Sequence, residues 1–209
     1  MKSTFIKYLV LCFALLSVTE ITKIALNYDQ LLYNSLAEKL TSNQINNFLN
    51  LQQKWQWVSY AFVPVFLLIK TSLIASVLYI GVFFSNNDVS FKSIWDKVLK
   101  AEFILLLVPV FKIGWFYFIQ NQYTLEDFQY FFPLSALNIV GYKGLEKWFV
   151  YPFQLLNLFE VAYIIFLGFQ IGAVTKTNAD NGLRIVAASY VPALLLWASV
   201  IMFFTLNYS

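Results

Sequence analysis

Histidine is missing from the 209 residues, and cysteine occurs once, at Cys12. The first absence removes imidazole as a general base, proton shuttle or metal ligand. The second removes any disulfide within the chain. Cys12 stands in an apolar run and is expected to be a buried, inert thiol. Charge is scarce as well: Asp, Glu, Lys and Arg make up 12% of the sequence, about half the share of an ordinary soluble domain. The basic residues are spread along the chain with a net charge of +3, and they form no basic face of the kind nucleic acid requires. Also missing are H-E-x-x-H, a G-K-S/T phosphate loop, G-x-S-x-G and G-x-G-D. The sequence therefore predicts no catalytic residue, no metal site and no cofactor, and no nucleic-acid partner.

Apolar and aromatic side chains take the place of what is lacking. Hydrophobic residues reach 60%, with 22 Phe, 13 Tyr and 6 Trp, a composition suited to lipid tails and headgroup-level rings. A membrane span needs about 20 residues to cross about 30 Å of hydrocarbon. Marking each charge along the chain leaves five such stretches, at about 5–26, 59–84, 103–120, 152–174 and 185–206. The predicted fold is an all-α membrane protein: one polytopic domain over 1–209, a bundle of about five transmembrane helices with interfacial helices in the outer loops. The basic leader with Lys2 and Lys7, followed by apolar residues to Val18, looks like a signal peptide with a weak cleavage site at Ser17-Val18-Thr19. Apolar character resumes at Ile21 and runs to Leu26, so the segment reads as an uncleaved first span.

The connectors differ in character. Residues 27–54 form a long polar loop in which Leu32, Leu36 and Leu40 predict a surface helix. Ser90 is placed to cap an amphipathic turn with Phe91, Ile94, Trp95 and Val98 on one face. Thr124 is placed to cap a short helix whose first turn holds Glu126 and Asp127, where carboxylates favour the dipole. Lysine and arginine near the spans set orientation. Lys2, Lys7, Lys92, Lys97, Lys100, Lys176 and Arg184 fall on one side in short segments; Lys23, Lys39, Lys54, Lys143 and Lys147 fall on the other in longer ones. This predicts a cytoplasmic N-terminus and an outside C-terminus. Richness in Asn, Lys, Ile and Phe points to a bacterial inner membrane.

Three spans carry one charge each near the middle: Lys70, Lys112 and Glu160. A charge at a helix centre costs about 2.5–3.5 kcal/mol on an insertion scale. Lys70 and Glu160 come at similar depths in spans of the same direction, so they are expected to pair directly, with Lys112 the next candidate for Glu160. The pair can be an ion bridge that fixes packing or a mid-membrane site for a substrate or proton; snorkelling is the third option. Gly168 and Gly172 form G-x-x-x-G in the fourth span, a motif that lets backbones approach closely within the chain or between two copies. Pro64, Pro109, Pro152 and Pro192 are expected to kink helices or mark broken ones.

Asn157, Phe159, Gly168, Gly172 and Thr175, followed by a polar turn and a wholly apolar last span, resemble the Yip family of five-span membrane proteins, its bacterial members in particular. The resemblance covers mainly the last two spans. It implies five spans with N-terminus in and C-terminus out, and a role in membrane organisation, trafficking or partner binding. Two functions compete: a non-enzymatic accessory, scaffold or partner-binding subunit whose partners are lipids and another membrane protein or a second copy, and a transporter subunit using a Lys70/Glu160 layer. The lack of a second acidic residue at mid-membrane favours the first.

Overall fold

The structure, a computed structural model, describes residues 2–208; Met1 and Ser209 lie outside them. Among the described residues nine helices follow in order: α1 (Lys2–Ala25), α2 (Tyr28–Ala37), α3 (Ser42–Phe84), α4 (Phe91–Phe118), α5 (Leu125–Tyr130), α6 (Ala136–Val140), α7 (Lys147–Leu155), α8 (Leu158–Val174) and α9 (Ala179–Tyr208). Among the described residues there is no strand, and the one β-bridge joins Ser135 to Asn157. Four helices, α1, α3, α4 and α9, are long and apolar enough to cross a membrane, while α8, at 17 residues, is shorter. The all-helical membrane character expected from composition holds at this level.

Helix boundaries depart from the sequence expectation in three places, each for a local reason. The polar loop expected over 27–54 is only partly a loop. It holds α2, and from Ser42 the chain is already in α3, started by a reciprocal Thr41–Gln44 capping box. No Gly or Pro intervenes before Pro64, so the polar stretch continues helically into the apolar one. The resulting 43-residue helix is about 65 Å long, twice the hydrocarbon thickness of about 30 Å. Likewise the amphipathic turn after Ser90 and the span expected from 103 are a single helix, α4. Ser90 holds the cap position without a side-chain hydrogen bond. The span expected over 152–174 is interrupted instead of continuous. Pro152 lies inside α7, yet the break comes after it, at Leu156 and Asn157, where the Asn157 carboxamide oxygen accepts from the Glu160 N–H at 2.8 Å and starts α8. Pro64, Pro109 and Pro192 lie inside α3, α4 and α9, which continue through them.

Helix directions follow from named contacts. Thr4 and Lys7 of α1 both bond Asp96 of α4, at 2.9 and 2.5 Å, so α1 and α4 start at the same end. Near the end of α3, Gly81 lies against Ser189 and Ile185 of α9. One end of the bundle, called the turn face below, thus gathers the start of α1, the α3–α4 turn and the α8–α9 turn; α2 and α5–α7 lie at the other. The core between them is built from Ala75, Leu78 and Val82 of α3, Ile94 and Val98 of α4, Leu167 and Ile171 of α8, and Ile185 and Val186 of α9. A smaller cluster seats α1: Leu11 and Cys12 pack with Leu67 and Leu99, and the Tyr8 hydroxyl donates to the Pro64 carbonyl at 2.7 Å. Cys12 is a buried free thiol.

The two glycines of G-x-x-x-G pack within the chain, against α9. A Cβ at Gly168 would meet the Leu183 side chain at 2.4 Å, and one at Gly172 would meet the Asn178 carbonyl oxygen at 2.6 Å. The contact has a third member that the motif does not include, Gly182, whose added Cβ would lie 2.1 Å from the Gly168 oxygen and 2.9 Å from the Gly172 Cα. Since membrane helices associate by close van der Waals packing, these three positions set the α8–α9 distance. Gly182→Ala should lower thermal stability in mild detergent by about 1–3 kcal/mol, the range for overpacking a tight contact. Gly114→Ala, where a Cβ meets nothing within 4 Å, should be neutral or gain up to about 1 kcal/mol from helix propensity. Equal melting shifts for the two variants would contradict this role for Gly182.

Candidate functional site

Counting residues along each helix gives the distance of its polar side chains from that helix's own turn-face end. Lys70 stands fourteen residues before the end of α3 and Glu160 fourteen before the end of α8, about 21 Å along the axis at 1.5 Å per residue. Glu102 of α4 and Tyr190 of α9 stand eleven residues after their helix starts, and Tyr163 eleven before the end of α8, about 16 Å along the axis. Four helices therefore deliver polar groups to one layer of the bundle.

The layer is hydrogen-bonded across those helices, and its pairing differs from the sequence expectation. Lys70 Nζ donates to Glu102 Oε2 at 2.7 Å, not to Glu160. Tyr163 donates to the other oxygen of Glu102 at 3.1 Å. Glu160 accepts from Tyr190 at 2.7 Å instead, and the Tyr163 and Tyr190 rings lie 5.6 Å apart between the two carboxylates. The order across the bundle is Lys70, Glu102, Tyr163, Tyr190, Glu160. Lys112 does not belong to it. Twenty-one residues into α4, it sits about 31 Å above the turn face, with its ammonium 4.2 Å from the centre of the Phe128 ring. The extra depth comes from α4 beginning at Phe91, well before the expected start of the span.

Glu102, Tyr163 and Tyr190 were not among the sequence candidates. Glu102 read as a span boundary because Asp96, Lys97 and Lys100 precede it closely. The helical spacing of Ile94, Val98, Ala101, Leu105 and Val108 carries the signal that the helix runs through it. Glu102 is a second acid buried inside the bundle, contrary to the expectation that Glu160 stands alone there. Glu102 is 4% exposed and Glu160 9% exposed. With Lys70 committed to Glu102, the layer holds two carboxylates and one ammonium, and Glu160 has no salt-bridge partner among the described residues. Such an arrangement leaves Glu160 able to accept a further N–H or cationic group. It also offers phenol-linked carboxylates that can pass a proton. No group of three or more Cys, Asp or Glu residues is arranged to hold a metal ion among the described residues.

Beside Glu160 opens a cleft of about 1240 Å³, lined by Phe111 and Trp115 of α4, Val161 and Ile164 of α8, Leu194 of α9 and the 131–142 connector. The connector is held to the helix break by backbone bonds from Ala136 N–H to the Leu156 oxygen, 2.8 Å, and from Leu158 N–H to the Leu134 oxygen, 3.2 Å. Its outer part is fixed by Asp127, which accepts from the N–H of the cap residue Thr124 at 2.9 Å and from the Tyr142 hydroxyl at 2.7 Å. Bonds from the Thr124 backbone and the Tyr142 hydroxyl hold the Asp127 carboxyl below its usual range. Tyr142 is pushed up to about 12, by desolvation first and by its bond to Asp127 second. A second, more polar crevice of about 1000 Å³ lies between α1, α2 and the start of α3. There the Glu20 carboxylate accepts from the Tyr60 hydroxyl and from Lys23. Comparison with family models, curated proteins and solved structures finds no match.

Two outcomes follow from this geometry. Lys70→Met leaves the Glu102 carboxylate buried without its ammonium and should destabilise the bundle by about 3 kcal/mol. Adding Glu102→Gln should return most of that loss, whereas adding Glu160→Gln should not; a double-mutant cycle on detergent melting reads the difference. For the connector, a carboxylate with a lowered folded pKa contributes stability above its unfolded value, lost as pH falls below about 4. A phenol with a raised pKa favours the fold up to about pH 10 and loses that contribution as pH rises toward 12. Ring-labelled tyrosine NMR, with the resonance assigned by Tyr142→Phe, should show a midpoint near 12 for Tyr142; a midpoint near 10 would break the proposed link to Asp127.

Proposed function

We propose that the chain is a non-enzymatic, partner-binding or accessory subunit of the bacterial inner membrane, crossing it five times with the N-terminus in the cytoplasm and the C-terminus outside. Alternation of α1, α3, α4, α8 and α9 between the two ends supports five crossings, with the short α8 forming the fourth. At the turn face Lys2, Lys7, Lys92, Lys97, Lys100, Lys176 and Arg184 outnumber Asp88, Asp96 and Asp180, which supports a cytoplasmic position for it. On this reading α2 and α5–α7 are interfacial helices on the outside. The resemblance to the Yip family over the last two spans fits the same topology and the same kind of role.

The observation that carries partner binding is the outer face of α3. Half of the Lys70 side chain, 48%, is exposed on the bundle surface, in line with exposed Phe62, Phe66, Ile69 and Leu73. On this reading the half-exposed stem lies in an apolar, bilayer-facing stretch of α3, where polar groups are retained at a cost unless another component covers them. Transport is the second reading, and Glu102 favours it by supplying the second titratable acid that a relay needs.

The test uses photo-crosslinkers at Phe66 and Leu73 in cells, together with single cysteines at Ser90 and Ser42 in a Cys12→Ala background. Defined protein adducts from positions 66 and 73, lost on Lys70→Met but kept in Lys70→Arg, are expected. Position 42 should label from outside and position 90 should not. Adducts with lipid alone, together with proton-driven uptake in reconstituted vesicles that Glu160→Gln abolishes, would replace the accessory reading with the transport one.

A further inference from the structure

The cleft at the start of α8 has three features that together describe an occupant. It opens at the edge of the apolar region: α8, at 17 residues, is about 25 Å long, short of the usual hydrocarbon thickness of about 30 Å. The non-helical backbone at Leu156–Asn157 and the Ser135 bridge lie at that edge, where lipid-exposed irregular chain is not tolerated in hydrocarbon. Glu160, in the first turn of α8, therefore sits within one helical turn of the local headgroup level. Second, Glu160 is nine-tenths buried and lines the cleft. Its carboxylate is bonded by a neutral phenol, that of Tyr190, with no ammonium or guanidinium at salt-bridge distance among the described residues. Third, an exposed apolar stripe runs down α8 from the same point, with Val161, Ile165 and Phe169 at four-residue spacing. This makes a track of about 12 Å on one helix face.

We infer that this cleft is a binding site for an aminophospholipid of the bilayer, its primary ammonium on Glu160 beneath the 131–142 connector and an acyl chain along Val161, Ile165 and Phe169. Charge complementarity selects the headgroup. A primary ammonium brings three N–H donors to a carboxylate, a contact that a quaternary choline of the same net charge cannot make, and an anionic headgroup is repelled by both Glu160 and Asp127 at the cleft. The apolar lining of the cleft and the stripe that continues from Val161 along α8 select a lipid over a free polar amine. The inference rests on the membrane-crossing arrangement proposed above but uses a different helix face from the α3 partner surface.

The experiment reconstitutes the full chain in phosphatidylcholine vesicles containing a trace of phosphatidylethanolamine or phosphatidylcholine that bears the same diazirine-labelled acyl chain. Peptide mapping then reads the adducts on 158–174. The phosphatidylethanolamine probe should label this segment at least fivefold more than the phosphatidylcholine probe. Glu160→Gln should bring the ratio close to one, and Glu160→Asp should keep it above one. Val161→Trp, at an exposed position that leaves Glu160 intact, should lower labelling at 165 and 169 severalfold. A wild-type ratio near one overturns the inference, as does a ratio unchanged by Glu160→Gln in a variant that melts like wild type. Should Glu160→Gln fail to fold, unchanged labelling in Val161→Trp overturns it independently. Symmetric vesicles make the ratio insensitive to orientation, and crosslinks from Phe66 and Leu73 report on the partner surface alone, so either proposal can fail without the other.

Discussion

Glu102 is a carboxylate held at 4% exposure halfway along a membrane-length helix, and the arrangement of four helices around it is a response to that burden. An ionised acid in such a place loses its hydration, and only close donors make the loss tolerable. It has two: the Lys70 ammonium from α3 and the Tyr163 hydroxyl from α8. Each donor comes from a different helix, so satisfying one carboxylate fixes the relative height of three. A one-residue slip of any of them moves a donor by about 1.5 Å along the axis and about 100° around it, enough to lose the bond. In a bundle whose remaining contacts are lipid-like side chains that pack almost equally well in several registers, this polar layer supplies the register.

The glycine contact supplies what the polar layer cannot, which is the separation between α8 and α9. With Gly168, Gly172 and Gly182 at van der Waals limits, the two helices meet closely near the turn face. Tyr163 and Tyr190 are thereby carried to 5.6 Å ring separation higher up. The second carboxylate, Glu160, depends on this pairing for its only side-chain hydrogen-bond donor among the described residues, Tyr190. Close packing at one height thus sets electrostatics at another.

Much of this was legible in the sequence, and the parts that were not share a cause. Apolar runs and their charge spacing revealed the helical membrane character and the Thr124 cap, and the G-x-x-x-G pair pointed to a close contact. What failed was the rule that a charge ends a span. Lys100 and Glu102 read as the border of the third span, which hid Glu102 from the candidates and gave Lys70 the wrong partner. Lys70 and Glu160 do stand the same number of residues from the ends of α3 and α8. Depth alone does not say which face of the helix a side chain takes, and Glu102, one turn lower on the adjacent helix, is the acid that Lys70 reaches. Gly182 was invisible for a similar reason: it belongs to no motif, and only the path of α9 brings it to Gly168.

The break at Leu156–Asn157 ties these observations together. A continuous span from Pro152 to Val174 would have covered the full apolar thickness and placed Glu160 well inside it, with helix backbone on both sides. Instead Asn157 ends the upper piece, its carboxamide takes the Glu160 N–H, and the freed backbone at Leu156 and Leu158 is bonded by the 134–136 connector. Those bonds satisfy the polar backbone, as hydrocarbon demands, and they also hold the connector over the cleft. The same local event therefore shortens α8, puts Glu160 in its first turn and builds the wall beside it. A buried carboxylate with no paired cation is costly in a continuous helix; at a broken one, beside a cleft open to lipid, it becomes a place where a positively charged group can dock.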